Sequence, residues 1–190
     1  MKVGVLSLQG AYRLHADVLT ALGAEPVDVR TPESLGSVDA LVIPGGESTT
    51  MSFLLDSSEL RVPLTERLRD GLPALGTCAG MIMLATEVLD GRPDQQSLGV
   101  IDITVRRNAF GRQRESFEAD LEIEGMPGGP FPAVFIRAPY VERVGEGVEV
   151  DALVGEHPVL CRSGAITVCS FHPELSNDLR LHQRFLEGIA

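Results

Sequence analysis

The chain has 190 residues and carries 27 acidic against 16 basic side chains, a formal net charge of −11. This length suits a single domain spanning residues 1–190, and 44% apolar residues suffice for a full core, which excludes disorder as the main state. So acidic a chain repels a polyanion, arguing against nucleic-acid binding, and its longest apolar runs, such as residues 40–44 and 81–85, fall far short of the roughly 20 that span a membrane.

In chain order, residues 3–8, 26–29 and 40–43 read as short strands, and residues 11–22 as a helix between the first two. This βαβ rhythm points to an α/β fold with a mostly parallel sheet flanked by helices. After Pro44-Gly45-Gly46, the spacing of Met51, Leu54 and Leu55 predicts a helix opening near Ser48 or Thr49, whose hydroxyls would cap it. Residues 61–70 read as another helix. Residues 73–76 form a very short strand, and residues 79–89, almost unbroken in apolar character, a buried helix after it. Then the rhythm changes. Residues 100–105, 117–123, 133–136, 149–154, 159–162 and 165–171 are closely spaced strands, and such spacing favours hairpins over crossovers. Residues 177–188 close the chain as an amphipathic helix, while 91–96 and 126–132 are loops. No export signal is expected, because the N-terminus moves straight into strand-like alternation. Three cysteines without an even disulfide framework or a Cys-x-x-Cys pair fit a reducing cytoplasm.

Three segments carry candidate chemistry. Gly76-Thr77-Cys78-Ala79-Gly80 sits where a strand must turn sharply into a helix, the pattern of a nucleophile elbow with Cys in place of Ser. The helix N-terminus and its free N–H groups favour a thiolate there. Ser170-Phe171-His172-Pro173-Glu174 follows an apolar strand, so His172 can serve as the base and Glu174 as its orienter. His15, His157 and His182 lie in helical or turn patterns and are given no catalytic role; Cys161 and Cys169 read as core residues. Pro44-Gly45-Gly46-Glu47-Ser48-Thr49-Thr50 ends a predicted parallel strand, where open α/β sheets bind ligands. It lacks the GK[ST] ending of a P-loop, which argues against nucleotide binding; its N–H groups, Gly46 with Ala79, suit an oxyanion hole.

In this order the glycine loop, the cysteine elbow and the late His-Pro-Glu resemble class I triad glutamine amidotransferases. With Leu8-Gln9-Gly10-Ala11, Arg107-Asn108-Ala109-Phe110-Gly111-Arg112-Gln113 and Phe135-Ile136-Arg137-Ala138-Pro139 added, the chain is similar to the family of glutaminase subunits of pyridoxal 5′-phosphate synthase. The resemblance implies a three-layer flavodoxin-like domain that hydrolyses L-glutamine to glutamate and ammonia, needs no metal or organic cofactor, and passes the ammonia to a separate synthase (lyase) subunit. It implies a triad of Cys78, His172 and Glu174, glutamine contacts from Gly46, Glu47, Ser48, Arg107, Ile136 and Arg137, and Gln9 near the oxyanion hole. Ala109, where the family often has Ser, and Ser176-Asn177-Asp178 depart from the pattern without removing a group the chemistry needs. The residues fit the ligand: a zwitterionic amino acid wants an Arg for its carboxylate and a carboxylate for its ammonium. Arg106, Arg112 and Arg114 read equally as solvated charges or as a docking strip. Two alternatives stay open: the glutaminase subunit of another synthase, such as that of the histidine pathway, and a non-catalytic protein of this fold with Cys78 as a redox-sensing thiol.

Overall fold

A computed structural model describes residues 1–107 and 116–189. Five parallel strands form its centre: β1 (Lys2–Leu6), β2 (Glu25–Val29), β3 (Ala40–Ile43), β4 (Ala74–Thr77) and β12 (Ile166–Cys169). Antiparallel β11 (His157–Ser163) and β10 (Glu149–Val154) extend one edge, giving the order β10-β11-β12-β4-β3-β1-β2. Strand alternation sends side chains to both faces. Leu41 and Ile43 join one apolar cluster with Met51, Leu55, Leu64 and Met83; Val3, Val5, Ala40 and Val42 point the other way and meet Leu19 and Phe185. The first face is thus covered by α2 (Pro32–Gly36), α3 (Ser48–Ser57), α4 (Arg61–Arg69) and α5 (Ala79–Leu84), the second by α1 (Tyr12–Ala21) and α6 (Arg180–Glu187). This is a three-layer α/β architecture.

Two smaller sheets complete the molecule. β5 (Ala85–Leu89), β6 (Ile101–Arg106) and β9 (Tyr140–Val144) form one; β7 (Ser116–Leu121) and β8 (Phe131–Ile136) form a hairpin. Phe131, Phe135 and Phe171 are fully buried between that hairpin and the main sheet, with ring centroids 5.6–5.7 Å apart for the pairs involving Phe171. Among the described residues no helix is long and apolar enough to cross a membrane.

The structure corrects several expectations. The buried helix expected over residues 79–89 stops at Leu84, because the carbonyls of Met83 and Leu84 accept from the N–H groups of Leu98 and Val100, and the chain continues as β5. β6, expected to form a hairpin with the strand that follows it, lies instead between parallel β5 and antiparallel β9; β7–β8, β10–β11 and β11–β12 are hairpins as expected. The unexpected α2 opens with a capping box between Thr31 and Ser34 and Pro at its start. β9, also unexpected, pairs with β6.

The cap of α3 is a further correction. No hydroxyl of Ser48 or Thr49 closes this helix; the Glu47 carboxylate does, accepting from the N–H of Thr49 at 3.0 Å and of Thr50 at 2.7 Å. Partial burial alone would raise the Glu47 pKa, but the bonds from Thr50 and Thr49 outweigh it and hold the group at about 2, against an ordinary 4.5. A depressed pKa stabilises the fold above the unfolded value and loses that contribution as pH falls through the folded one. We therefore expect Glu47→Ala to lower unfolding free energy by about 1 kcal/mol at neutral pH, on the scale of an N-cap deletion. In urea titrations the gap from the parent protein should close between pH 4.5 and 2; a gap that stays constant across that window contradicts the capping role.

Candidate active site

Parallel strands end together, and here four neighbouring ones deliver the candidate residues to one place. Ile43 is in register with Gly76, and Thr77 with Cys169, so the segments beginning at Pro44, Cys78 and Ser170 leave the sheet side by side, with Gln9 in the loop after β1. The Cys78 N–H bonds the Cys169 carbonyl at 2.8 Å, which ties the elbow directly to the strand that carries the histidine.

Cys78 is the N-cap residue of α5 and has φ 49° and ψ −103°, a conformation a non-glycine residue rarely adopts. The surrounding packing imposes it. A Cβ added to Gly76 would lie 2.9 Å from the Gly80 backbone, so strand and helix approach more closely across the turn than any larger residue allows. Ala79 is the first helical residue, and its N–H therefore has no intrahelical acceptor. The Cys78 sulfur reaches toward the Ile136 carbonyl at 4.0 Å.

Cys78 and His172 meet across Gly45. A Cβ on Gly45 would collide with the His172 imidazole and lie 3.3 Å from Cys78 Cβ, so this position admits glycine alone. His172 Nδ1 lies 2.8 Å from Glu174 Oε1. A carboxylate only accepts, so Nδ1 carries the hydrogen and Nε2 is left to the thiol. Glu174 is sealed, with no side-chain exposure, whereas His172 keeps 10%. Burial alone would lower the His172 pKa, but hydrogen bonds and charge interactions with Cys78 and Glu174 outweigh it and push it up to about 10. Burial likewise opposes ionisation of Glu174, yet its bond to His172 and its interaction with His15 hold its pKa below the usual carboxylate value. The arrangement is a cysteine sulfur beside a strongly basic imidazole that is backed by an ionised acid.

The remaining predicted site residues sit on the loops and strand ends near these groups. Glu47, besides capping α3, accepts from Arg107 Nη2 at 3.2 Å. Arg107 also donates to Gln95 Oε1 at 2.9 Å and to Thr49 Oγ1 at 3.3 Å, and Gln95 donates to buried Ser48 at 3.2 Å. Gln9 packs on Gly46 and donates to the Glu47 carbonyl at 3.2 Å. Ile136 is partly buried, and Arg137, exposed with φ 45°, follows it at the end of β8. Arg106 is not free for docking: it pairs with Asp90 at 2.8 Å and with Glu142 at 3.0 Å. Arg112, Arg114 and Ala109 lie outside the described residues. Gln95 and His15 were not expected at the site, and Thr49 only as a member of the glycine-loop segment; nothing local marks Gln95, and His15 stands out only as one of four histidines in the chain. Among the described residues no cluster of three or more His, Cys, Asp or Glu side chains is arranged to hold a metal ion.

Comparisons with known proteins agree with this geometry. The sequence matches the SNO glutamine amidotransferase family over residues 5–190. It is 59% identical to "Pyridoxal 5′-phosphate synthase subunit PdxT" of Rhodococcus jostii, covering 98% of this chain and 96% of the relative, and 60% identical to the protein of the same name from Mycobacteroides abscessus with the same coverage. A solved structure described as a glutamine amidotransferase superposes with a TM-score of 0.93 at 52% identity over 98% of both chains. The chain belongs to the SNO glutamine amidotransferase family.

Proposed function

We propose that this protein hydrolyses the side-chain amide of L-glutamine to L-glutamate and ammonia, as the glutaminase subunit of a pyridoxal 5′-phosphate synthase that takes the ammonia on a separate synthase subunit. The observation that carries the reading is the strained Cys78, placed beside an imidazole whose far nitrogen is tied to a buried carboxylate. The names of the relatives supply the pathway and the assembly. The three thiols, all free and buried, fit a reducing cytoplasm.

In this mechanism His172 holds the proton of Cys78, and the thiolate adds to the amide carbon of glutamine. The N–H groups of Gly46 and Ala79 receive the oxyanion, with Gln9 shaping the Gly46 side of the hole. His172 gives its proton to the leaving nitrogen, the C–N bond breaks, and ammonia departs from a glutamyl thioester on Cys78. Water then adds to the thioester with its proton passing to His172, and glutamate leaves as the thiolate reforms. Glu47 and Arg107, which pair with each other, exchange that pairing for the ammonium and carboxylate of the substrate; Ser48, Ile136 and Arg137 complete its contacts.

Cys78→Ala removes the nucleophile, and glutamate release should fall to background while the urea midpoint stays near that of the parent; activity near the parent level refutes the assignment. Arg107→Ala should raise KM for glutamine at least ten-fold and change kcat far less, because the group binds substrate and not the reacting amide; an unchanged KM removes Arg107 from the site. A free glutaminase wastes glutamine, and the oxyanion loop beside the elbow is an exposed Gly-Glu turn at Gly46 and Glu47. Glutamate release should accordingly rise when the synthase subunit is added, and equal rates with and without it count against a partner-completed hole.

A further inference from the structure

The triad chemistry leaves one oxygen of Glu174 unexplained. Oε1 receives His172, but Oε2 is buried without a well-formed hydrogen bond. An ionised carboxylate in a sealed site needs partners for both oxygens. What stands next to Oε2 is His15 of α1: its Nε2 lies 3.3 Å away, and equally 3.3 Å from Thr77 Oγ1. The other nitrogen of His15, Nδ1, lies 2.9 Å from Nε2 of His182 on α6. Both imidazoles have zero exposure.

Burial decides the charge states. It lowers the His15 pKa and pulls that of His182 down to about 3, so each ring carries one hydrogen. The placement of those hydrogens follows from the surroundings. If His15 carried its hydrogen on Nδ1, its bare Nε2 would face the Glu174 anion, and His182 would be left with a buried N–H on Nδ1, which has no partner. With the hydrogen on Nε2 of both rings, His182 donates to His15, His15 points its N–H at Oε2 and Thr77, and only a lone pair of His182 is stranded. The second arrangement avoids both costs.

We propose that His15, held in this tautomer by His182, is a positioning residue for the reaction: it supplies the second donor to Glu174 and so fixes the carboxylate that orients His172. Donation runs from His182 to His15 and from His15 to Glu174, which accepts from His172 on its other oxygen, so the network links α6 and α1 to the elbow. This inference rests on the glutaminase reading of Cys78, His172 and Glu174, and His15 itself touches no substrate.

The test compares His15→Gln, whose amide nitrogen reaches the Nε2 position, with His15→Asn, which reaches only the Nδ1 position, and with the apolar His15→Phe. All are assayed as the full chain with its synthase subunit. We expect His15→Asn and His15→Phe to lose ten- to a hundred-fold in kcat with KM within two-fold, as a small misplacement of the base dictates, and His15→Gln to recover most of the loss. The low-field proton resonance of His172 Nδ1–H should weaken or shift in Asn and Phe and return in Gln. Gln and Asn variants with the same kcat and the same resonance overturn the proposal, even where His15→Phe fails to fold. A parent protein without Cys78-dependent activity sinks the glutaminase reading instead, and the resonance comparison still decides whether His15 holds Glu174.

Discussion

A carboxylate closed off from water is the constraint around which this protein is built. Glu174 has no side-chain exposure, and an isolated charge in such a place would take up a proton. It stays ionised because His172 faces one oxygen and His15 the other. Those two rings come from opposite ends of the chain. They can meet only if β12 lies beside β4, with α1 crossing the face of the sheet above their ends. Topology and electrostatics are therefore one requirement: misplace a strand, and the acid goes neutral and stops orienting the imidazole.

The site divides into two halves with different physics. The half that holds Cys78, His172 and Glu174 is nearly sealed, hangs from strand ends in register, and is braced by glycines that admit no side chain. The half proposed to face substrate is made of charges that hold one another. Arg107 is balanced by Glu47, and the same Glu47 caps α3, so the local helix and the binding groups share a residue. Replacing Glu47 thus disturbs the Arg107 pairing and the helix together, whereas Cys78, His172 and Glu174 do not depend on it directly. Partly exposed ion pairs exchange partners at small cost because water screens the transition. The first half has no such freedom, since every alternative leaves a buried polar group unpaired.

How much of this the sequence reveals follows from how local each signal is. The elbow is legible because its cause is confined to five residues, two of them glycines on either side of Cys78. The parallel core is legible from β-branched runs at βαβ spacing. The short α2 has only five residues, too few for a helical period to show, and in β9 the consecutive exposed charges Glu142 and Arg143 break the alternation. The turn from α5 into β5 depends on where residues 98–100 dock, which lies beyond any local window. His15 was the least accessible of all. One histidine in an amphipathic helix looks like any other, and only the crossing of α1 over the sheet brings it to Glu174. A cap by Glu47 went unread because the neighbouring Ser and Thr are stronger capping types, yet the carboxylate one residue earlier reaches two N–H groups at once.

Placement, not residue type, sets Cys78 apart from the two other thiols. Cys169 precedes the His172 segment by only three residues and shares a backbone bond with the elbow, but it is fully buried, and burial with the nearby charges of Glu174 and Cys78 pushes its pKa well above that of a free thiol. Burial and Asp151 push Cys161 up to about 12. Both are packed as small apolar side chains. Cys78 differs in three respects that all come from the fold. Its backbone is forced into the left-handed region, which turns the sulfur out of the core; it opens a helix; and it faces His172 across a residue with no side chain. Any one of these on its own is compatible with an inert cysteine. Their coincidence requires β4, β12 and the Gly45 loop to end at the same level, and the register of the central sheet enforces that condition.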